Sequence, residues 1–385
     1  MSTTPTGPDG GAGEIRRVLI VGAGPAGLSL ALALHRRGLT PDVIDVAEES
    51  RSPGAALTLL APALRALDAL GLADPAVAVG FPRTRQVIGD HRGTIRDVVD
   101  VAPLPGSRHP GAIGITRPAL HDLLSSASQA AGITPRLGVT VTSIVHMSTE
   151  AEVHFSDGGR RRYDLVVGAD GIHSTVRELV FPDAPRPHFT GQAVWRALVD
   201  RPDELFEGGM FYGPRNKAGI NIVSDREVYL FLVQNVEDPR RPPREQLPAL
   251  LREQLIEYQG WVAWMRERLV DPDRVDYRPL EVIMMPPPWH RHRVVLIGDA
   301  AHATTPHLAA GALCALEDGV VLAEMLGETM PLRTLLDAFT ARRYERCRLV
   351  VENAAQLGEW ERTHAADADP VRLTASTWAA LAQPA

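Results

Sequence analysis

The hexapeptide Gly22-Ala23-Gly24-Pro25-Ala26-Gly27, directly after the apolar run RRVLIV at residues 16–21, constrains the fold of this chain more than any other stretch. Gly22 permits a tight turn, Gly24 lets the backbone approach a pyrophosphate, and Gly27 lets a helix pack closely on the preceding strand. The helix N-terminus then presents unpaired N–H groups and a partial positive charge to the phosphates. Residues 25–37 read as that helix, stopped by Gly38, and residues 42–46 (DVIDV) as a second strand. Asp45, followed by Val46, lies 18 positions after Gly27, where a carboxylate accepts the hydroxyls of an adenosine ribose. This βαβ opening argues for a parallel sheet and a bound dinucleotide, and leaves NAD and FAD both open.

Further along, the pattern changes twice. Helical segments at 61–70 and 118–131, short strands at 140–145 and 152–155, and the strand 163–167 continue the α/β pattern. From 191 to 233, short alternating runs punctuated by Gly213-Pro214 and Ser224-Asp225 read as an antiparallel sheet. Helices follow at 246–258 and 261–269. After Pro286-Pro287-Pro288 comes a strand at 293–297, then helices at 312–326 and 331–358. The fold class expected is α/β: a Rossmann-like domain with a parallel sheet (14–75, 110–183 and 286–345), interrupted by an antiparallel-sheet substrate domain (76–109 and 184–285), with a helical C-terminus (346–385). An insertion of this kind creates a cleft between domains, the usual place for a ligand.

Composition excludes several classes. A formal charge of −7 offers no field for nucleic acid. The densest basic run, Arg160-Arg161-Arg162, follows the turn signal Asp157-Gly158-Gly159 and reads as solvated. Two cysteines, Cys314 and Cys347, are too few for a disulfide framework or a Cys-based zinc site, and read as buried structural thiols. No metal site is expected, since His290 and His292 are too close together and no HExxH occurs. Residues 1–13 read as a loose Ser/Thr/Pro/Gly tail without the apolar stretch of a signal peptide, and no run suits a membrane span. A cytoplasmic monomer or homodimer acting on a small molecule is the expectation.

Two later motifs separate FAD from NAD. The run 163–171 (YDLVVGADG), continuing to Ser174 and Arg177, ends a strand in the Gly-flanked Asp170; the run 293–302 (RVVLIGDAAH) does the same with Asp299. Each places a carboxylate and free N–H groups at the carboxyl end of a strand, where cofactors lie in such sheets. With the fingerprint, these motifs in this order resemble the class A flavoprotein monooxygenases, FAD-dependent aromatic hydroxylases, over about residues 15 to 350. The resemblance implies that Asp299 binds the ribityl chain of FAD. It also implies that Ala309, Ala310, Gly311, Ala312 and Leu313 lie against the isoalloxazine ring and that Asp45 holds the adenosine ribose. Arg51, Thr58 and Arg117 fall at further flavin contacts, Val141 near the adenine, and Asp170 by the pyrophosphate and the approach of NADH or NADPH.

The reaction implied is hydroxylation of a small aromatic or heteroaromatic ring: NAD(P)H reduces FAD, O₂ adds to give a C4a-hydroperoxide, and the ring attacks its distal oxygen. Residues 304–312 look most like the salicylate hydroxylase branch. Three departures stand out: Ala309-Ala310-Gly311 where Gly-Gln-Gly is common, Ala61-Pro62 for Pro-Asn, and Asp45 for Glu. His307, Tyr229 and Trp195-Arg196 are the candidates for substrate contact, with His307 as a base for a phenol. Epoxidation or oxidative decarboxylation on the same fold, and a non-catalytic flavin-binding role, are the alternatives. A plain NAD dehydrogenase leaves Gly298-Asp299 unexplained.

Overall fold

A computed structural model describes residues 15–49 and 56–385. The buried strand Val18–Val21 lies inside a five-stranded sheet, paired in parallel with Leu165–Gly168 on one side and Asp42–Ile44 on the other. Val294–Leu296 joins in parallel beyond Leu165–Gly168, and His290–Arg291 closes that edge antiparallel. All three motif loops therefore leave the same end of one sheet, which brings Gly22, Asp170 and Asp299 together. The fingerprint helix Pro25–His35 is buried along most of its length and packs on the helix Gly311–Met325. It ends at Gly38, whose φ of +81° is a left-handed stop.

The insertion forms a seven-stranded sheet ordered Val275–Val282, His188–Asp200, Glu227–Asn235, Lys217–Ile222, Gly209–Tyr212, Arg85–Asp90 and Ile95–Asp100. Alternation sorts its faces. Ala193, Trp195, Ala197, Val199, Ala218, Ile220, Ile222, Val228, Leu230 and Leu232 form a core with the helices Leu247–Gln254 and Gly260–Arg266. The other face carries Arg196, Lys217, Asn221, Tyr229, Asp276 and Arg278, and turns to the flavin side. Asn221 crosses between the two bodies, donating to the Leu57 carbonyl (3.3 Å) and the Thr58 hydroxyl (3.0 Å).

The C-terminal region is helical, and its division differs from the one drawn on the sequence. One helix, Leu332–Thr363, runs unbroken through the boundary placed at 345/346, because Phe339, Cys347, Val350, Ala354 and Leu357 keep its inner face buried throughout. A further helix, Pro370–Ala382, starts at Asp369, whose side chain accepts from the Arg372 N–H at 2.9 Å. Among the described residues, no helix is long and apolar enough to cross a membrane.

Candidate active site

The fingerprint turn is wedged so tightly that only glycine fits. Gly22 has φ +109°, and a Cβ there would lie 2.3 Å from the Ala169 carbonyl oxygen. A Cβ on Gly27 would lie 1.9 Å from the Gly22 carbonyl oxygen. Gly24 is the opposite case: nothing described lies within 4 Å of a Cβ there, so the space before the helix is open. The N-cap residue Gly24 has no side chain to cap that helix end, and its first N–H groups point into this space. The Asp45 carboxylate is fixed beside it, accepting from the Ala23 N–H at 2.7 Å and the Ala47 N–H at 2.8 Å. An uncapped positive helix end, an open cradle and an oriented carboxylate fit the phosphates and ribose of a dinucleotide.

Asp299 opens the short helix Asp299–His302 after Gly298, which has φ +59°. Its side chain reaches solvent at the cleft although protein crowds round it. Burial pushes its carboxyl above the ordinary range, partly offset by His302 and Arg117. What holds Asp299 in place lies behind it. Asp318, fully buried, accepts from the Gly298 N–H (2.8 Å), from His302 Nε2 (2.6 Å) and from Arg343 Nε (2.8 Å). Burial opposes ionisation of Asp318, but His302 and Arg343 outweigh it and hold the carboxyl at about 2. Burial likewise opposes the His302 imidazolium, yet the Cys347 sulfur and above all the Asp318 carboxylate keep it well above an ordinary histidine. Burial keeps the Cys347 thiol protonated, so the Asp318 carboxylate is the charge that faces the imidazolium.

His302, Asp318 and Cys347 converge closely enough to suggest a metal triad. The Arg343 guanidinium sits among them, with Nη2 3.7 Å from Cys347 Sγ, so the cluster is built as an ion pair.

Asp170 serves its own loop: its carboxylate accepts from the Ser174 hydroxyl and from the Val176 N–H at 3.0 Å. Burial raises its carboxyl above the ordinary range. Arg177 then ties this loop to the Asp299 helix, donating to the Ala300 carbonyl (2.9 Å) and the Ile172 carbonyl (2.6 Å).

The segment from Ala309 onward starts a second uncapped helix, Gly311–Met325. Ala309 is left-handed at φ +51°, Ala310 and Leu313 are buried, and Gly311 and Ala312 are half-buried. Across the cleft, Tyr229 is buried against the Phe231 ring, 5.7 Å between centroids. Asp276 bridges Arg278 Nε (2.9 Å) and Arg196 Nη1 (3.6 Å). Arg117 reaches this group from the flavin side; burial first, then Arg196, lowers it from the ordinary arginine range, while Asp299 opposes the shift. Two surface hollows of about 590 and 530 Å³ lie beside Trp264 and Phe181 respectively, the second lined in part by Arg177.

Comparison with known proteins decides among dinucleotide chemistries. A family described as "FAD binding domain" matches residues 16–354. The chain belongs to the class A flavoprotein monooxygenases. Among the relatives of this monooxygenase is the 2-heptyl-3-hydroxy-4(1H)-quinolone synthase of Pseudomonas aeruginosa, 32% identical, covering 89% of this chain and 90% of that one. The FAD-dependent urate hydroxylase of Klebsiella pneumoniae is 27% identical over 88% of each chain. The solved structure of Klebsiella pneumoniae HpxO with FAD and uric acid superposes with a TM-score of 0.82 at 26% identity, covering 95% of this chain and 92% of that one. The monooxygenase is thus an FAD-dependent oxidoreductase, with NAD(P)H as its co-substrate.

The expected site residues distribute unevenly. Gly22 to Gly27, Asp45 and Asp299 meet at the carboxyl end of the parallel sheet, Arg117 interacts with the Asp299 charge, and Ala310 and Leu313 are buried in the core. Val46 is exposed next to Asp45, Val141 is buried, and Thr58 meets Asn221. Arg51 lies outside the described residues. Trp195 points away into the opposite core, donating to Gln234 (2.7 Å). His307 requires a correction as a base in contact with substrate. Its side chain is 0% exposed, with Nδ1 2.8 Å from the Thr305 hydroxyl and Nε2 3.3 Å from Glu361. It faces the long helix because the turn Pro306–Leu308 tucks the ring beneath the loop. Sequence reasoning missed Lys217, Asn221, Asp276, Arg278 and Glu361. The alternation of their strands was the available signal for the first four.

Proposed function

We propose that the enzyme hydroxylates a small aromatic or heteroaromatic compound carrying a ring oxygen, in the cleft between the three motif loops and the charged face of the seven-stranded sheet. One observation carries this reading: Arg117 interacts with Asp299 on one side and with Arg196, Arg278 and Tyr229 of the sheet face on the other. FAD bound there supplies the acceptor for the NAD(P)H hydride and the activation of O₂.

The residues do the rest. Gly22 to Gly27 and the first turn of Pro25–His35 hold the pyrophosphate, Asp45 the ribose with Val46 and Val141 near the adenine, and Asp299 the ribityl hydroxyls. Thr58 and Arg117 close the flavin's other side, and Asp170 with Arg177 sets the loop that NADH or NADPH approaches. Gly311–Met325 directs its positive end at the ring, favouring negative charge that builds there. Tyr229 and Phe231 wall the site against water.

The relatives' printed activities, on urate and on a quinolone, support a heteroaromatic substrate. A cytoplasmic location accords with two free, buried cysteines. The test is NAD(P)H oxidation and O₂ uptake by the FAD-loaded protein across salicylates, hydroxypyridines, quinolones and purines. Acceleration by at least one class with a hydroxylated product is expected; equal, unstimulated rates with every class would remove the proposal.

A further inference from the structure

Lys217 is the only lysine in 385 residues; every other basic side chain of the Lys/Arg class is arginine. In a chain so tilted to arginine, its location is informative. It lies on Lys217–Ile222 at the edge of the face that looks to the flavin side, two residues from Gly219 and four from Asn221. Its side chain is 12% exposed, and Nζ is ion-paired with Glu361 of the long helix. Glu361 in turn lies 3.3 Å from His307 Nε2, in the turn just before the flavin-facing segment. Three separate elements thus fix one ammonium at the junction of sheet, long helix and flavin loop.

Next to it, Gly219 leaves room for an aromatic surface: a Cβ there would lie 2.1 Å from the Phe231 ring, so that ring covers the glycine between Lys217 and Asn221. The other cations of this wall are committed elsewhere. Arg196 and Arg278 share Asp276, and Arg117 sits opposite Asp299. An ammonium has three donors, and Glu361 accounts for one. It is also a compact point charge, whereas a guanidinium is a broad planar fork that prefers bidentate partners.

We infer that Lys217 is the substrate-orienting cation of the cleft, its ammonium receiving a phenolate or ring-carbonyl oxygen of the aromatic substrate that lies against Phe231. The inference rests on the monooxygenase reading above and names the substrate's contact group. Glu361 and His307 are positioning residues: they hold the ammonium at the end of a flexible stem, so less side-chain entropy is lost when the substrate arrives. The bland alternative is a clasp between sheet and helix that never meets a ligand.

A single lysine makes the two separable. FAD-loaded protein labelled with ¹³Cε-lysine gives one side-chain signal, and salicylate, 2-hydroxypyridine and 4-nitrophenol serve as probes, with toluene as the oxygen-free control. The lysine signal is expected to move with the oxygenated probes and not with toluene. Lys217→Met is expected to weaken binding of those probes about tenfold or more, with flavin content and thermal midpoint retained, and Lys217→Arg to restore it in part. A lysine signal silent to all three probes overturns the inference, as does equal affinity in Lys217→Met. Failure of the monooxygenase reading has a different signature: FAD bound, the lysine signal responding, but no ring compound accelerating NAD(P)H oxidation.

Discussion

Asp299 and Ala309 are the two residues whose individual chemistry is easiest to isolate. Asp299 is crowded by protein yet open to the cleft, and burial already disfavours its charge without a ligand. Hydroxyl donors from a ribityl chain would compensate that charge. Replacing Asp299 with Ala should weaken FAD binding to the apoprotein by about 1.5–3 kcal/mol, the worth of a charge-assisted hydrogen bond. Flavin titration followed by fluorescence quenching measures this, and an unchanged Kd would detach Asp299 from the cofactor. Ala309 holds φ +51°, where an L side chain costs about 1–2 kcal/mol. Glycine relieves that strain but adds about 0.4–1 kcal/mol of unfolded-state entropy. Ala309→Gly is therefore expected to leave stability equal or raise it by up to about 1.6 kcal/mol. A urea midpoint lowered well below wild type would show that the methyl makes packing contacts that outweigh its backbone strain.

At the scale of elements, the short helix Asp299–His302 is set by the helix behind it. Asp318 takes the Gly298 N–H and His302 together, and Arg343 from the long helix completes the charge balance. The pH consequence follows in sign. His302 is raised in the folded state, so its contribution is fully present below an unfolded pKa of about 6.5 and is lost as pH rises through the folded value. Asp318 is depressed to about 2, so its contribution persists down to acid and is lost as pH falls from about 4. The wild-type urea midpoint should consequently decline from neutral to alkaline pH more steeply than that of His302→Gln. Parallel pH profiles for the two proteins would mean that the imidazole is neutral in the fold.

The sequence was most legible where structure is local. The fingerprint, the strand ends before Asp170 and Asp299, and most helices up to Met325 rest on turns and periodicities spanning a few residues, and these elements form near the positions their patterns indicate. Contacts set by packing were hidden. Lys217 and Glu361 are 144 residues apart, and nothing local shows that a sheet edge meets the end of a long helix. His307 illustrates the same limit: its place beside the flavin segment was readable, while the burial of its ring under the loop was not. Helix Pro370–Ala382 lacks a broad apolar stripe, with only Thr377 and Leu381 buried, so it was legible only as part of a helical C-terminus, without its own bounds, although its Asp-Pro start was in view.

For the molecule as a whole, the central claim is that the cleft between the motif loops and the charged sheet face carries out oxygen insertion through bound FAD. Turnover of the FAD-loaded enzyme with NAD(P)H under ¹⁸O₂, with the ring compound that best accelerates NAD(P)H oxidation, tests it most directly. One ¹⁸O atom per product molecule is expected, with product formation abolished under argon. Product oxygen drawn from water, or undiminished anaerobic product formation, would contradict the account.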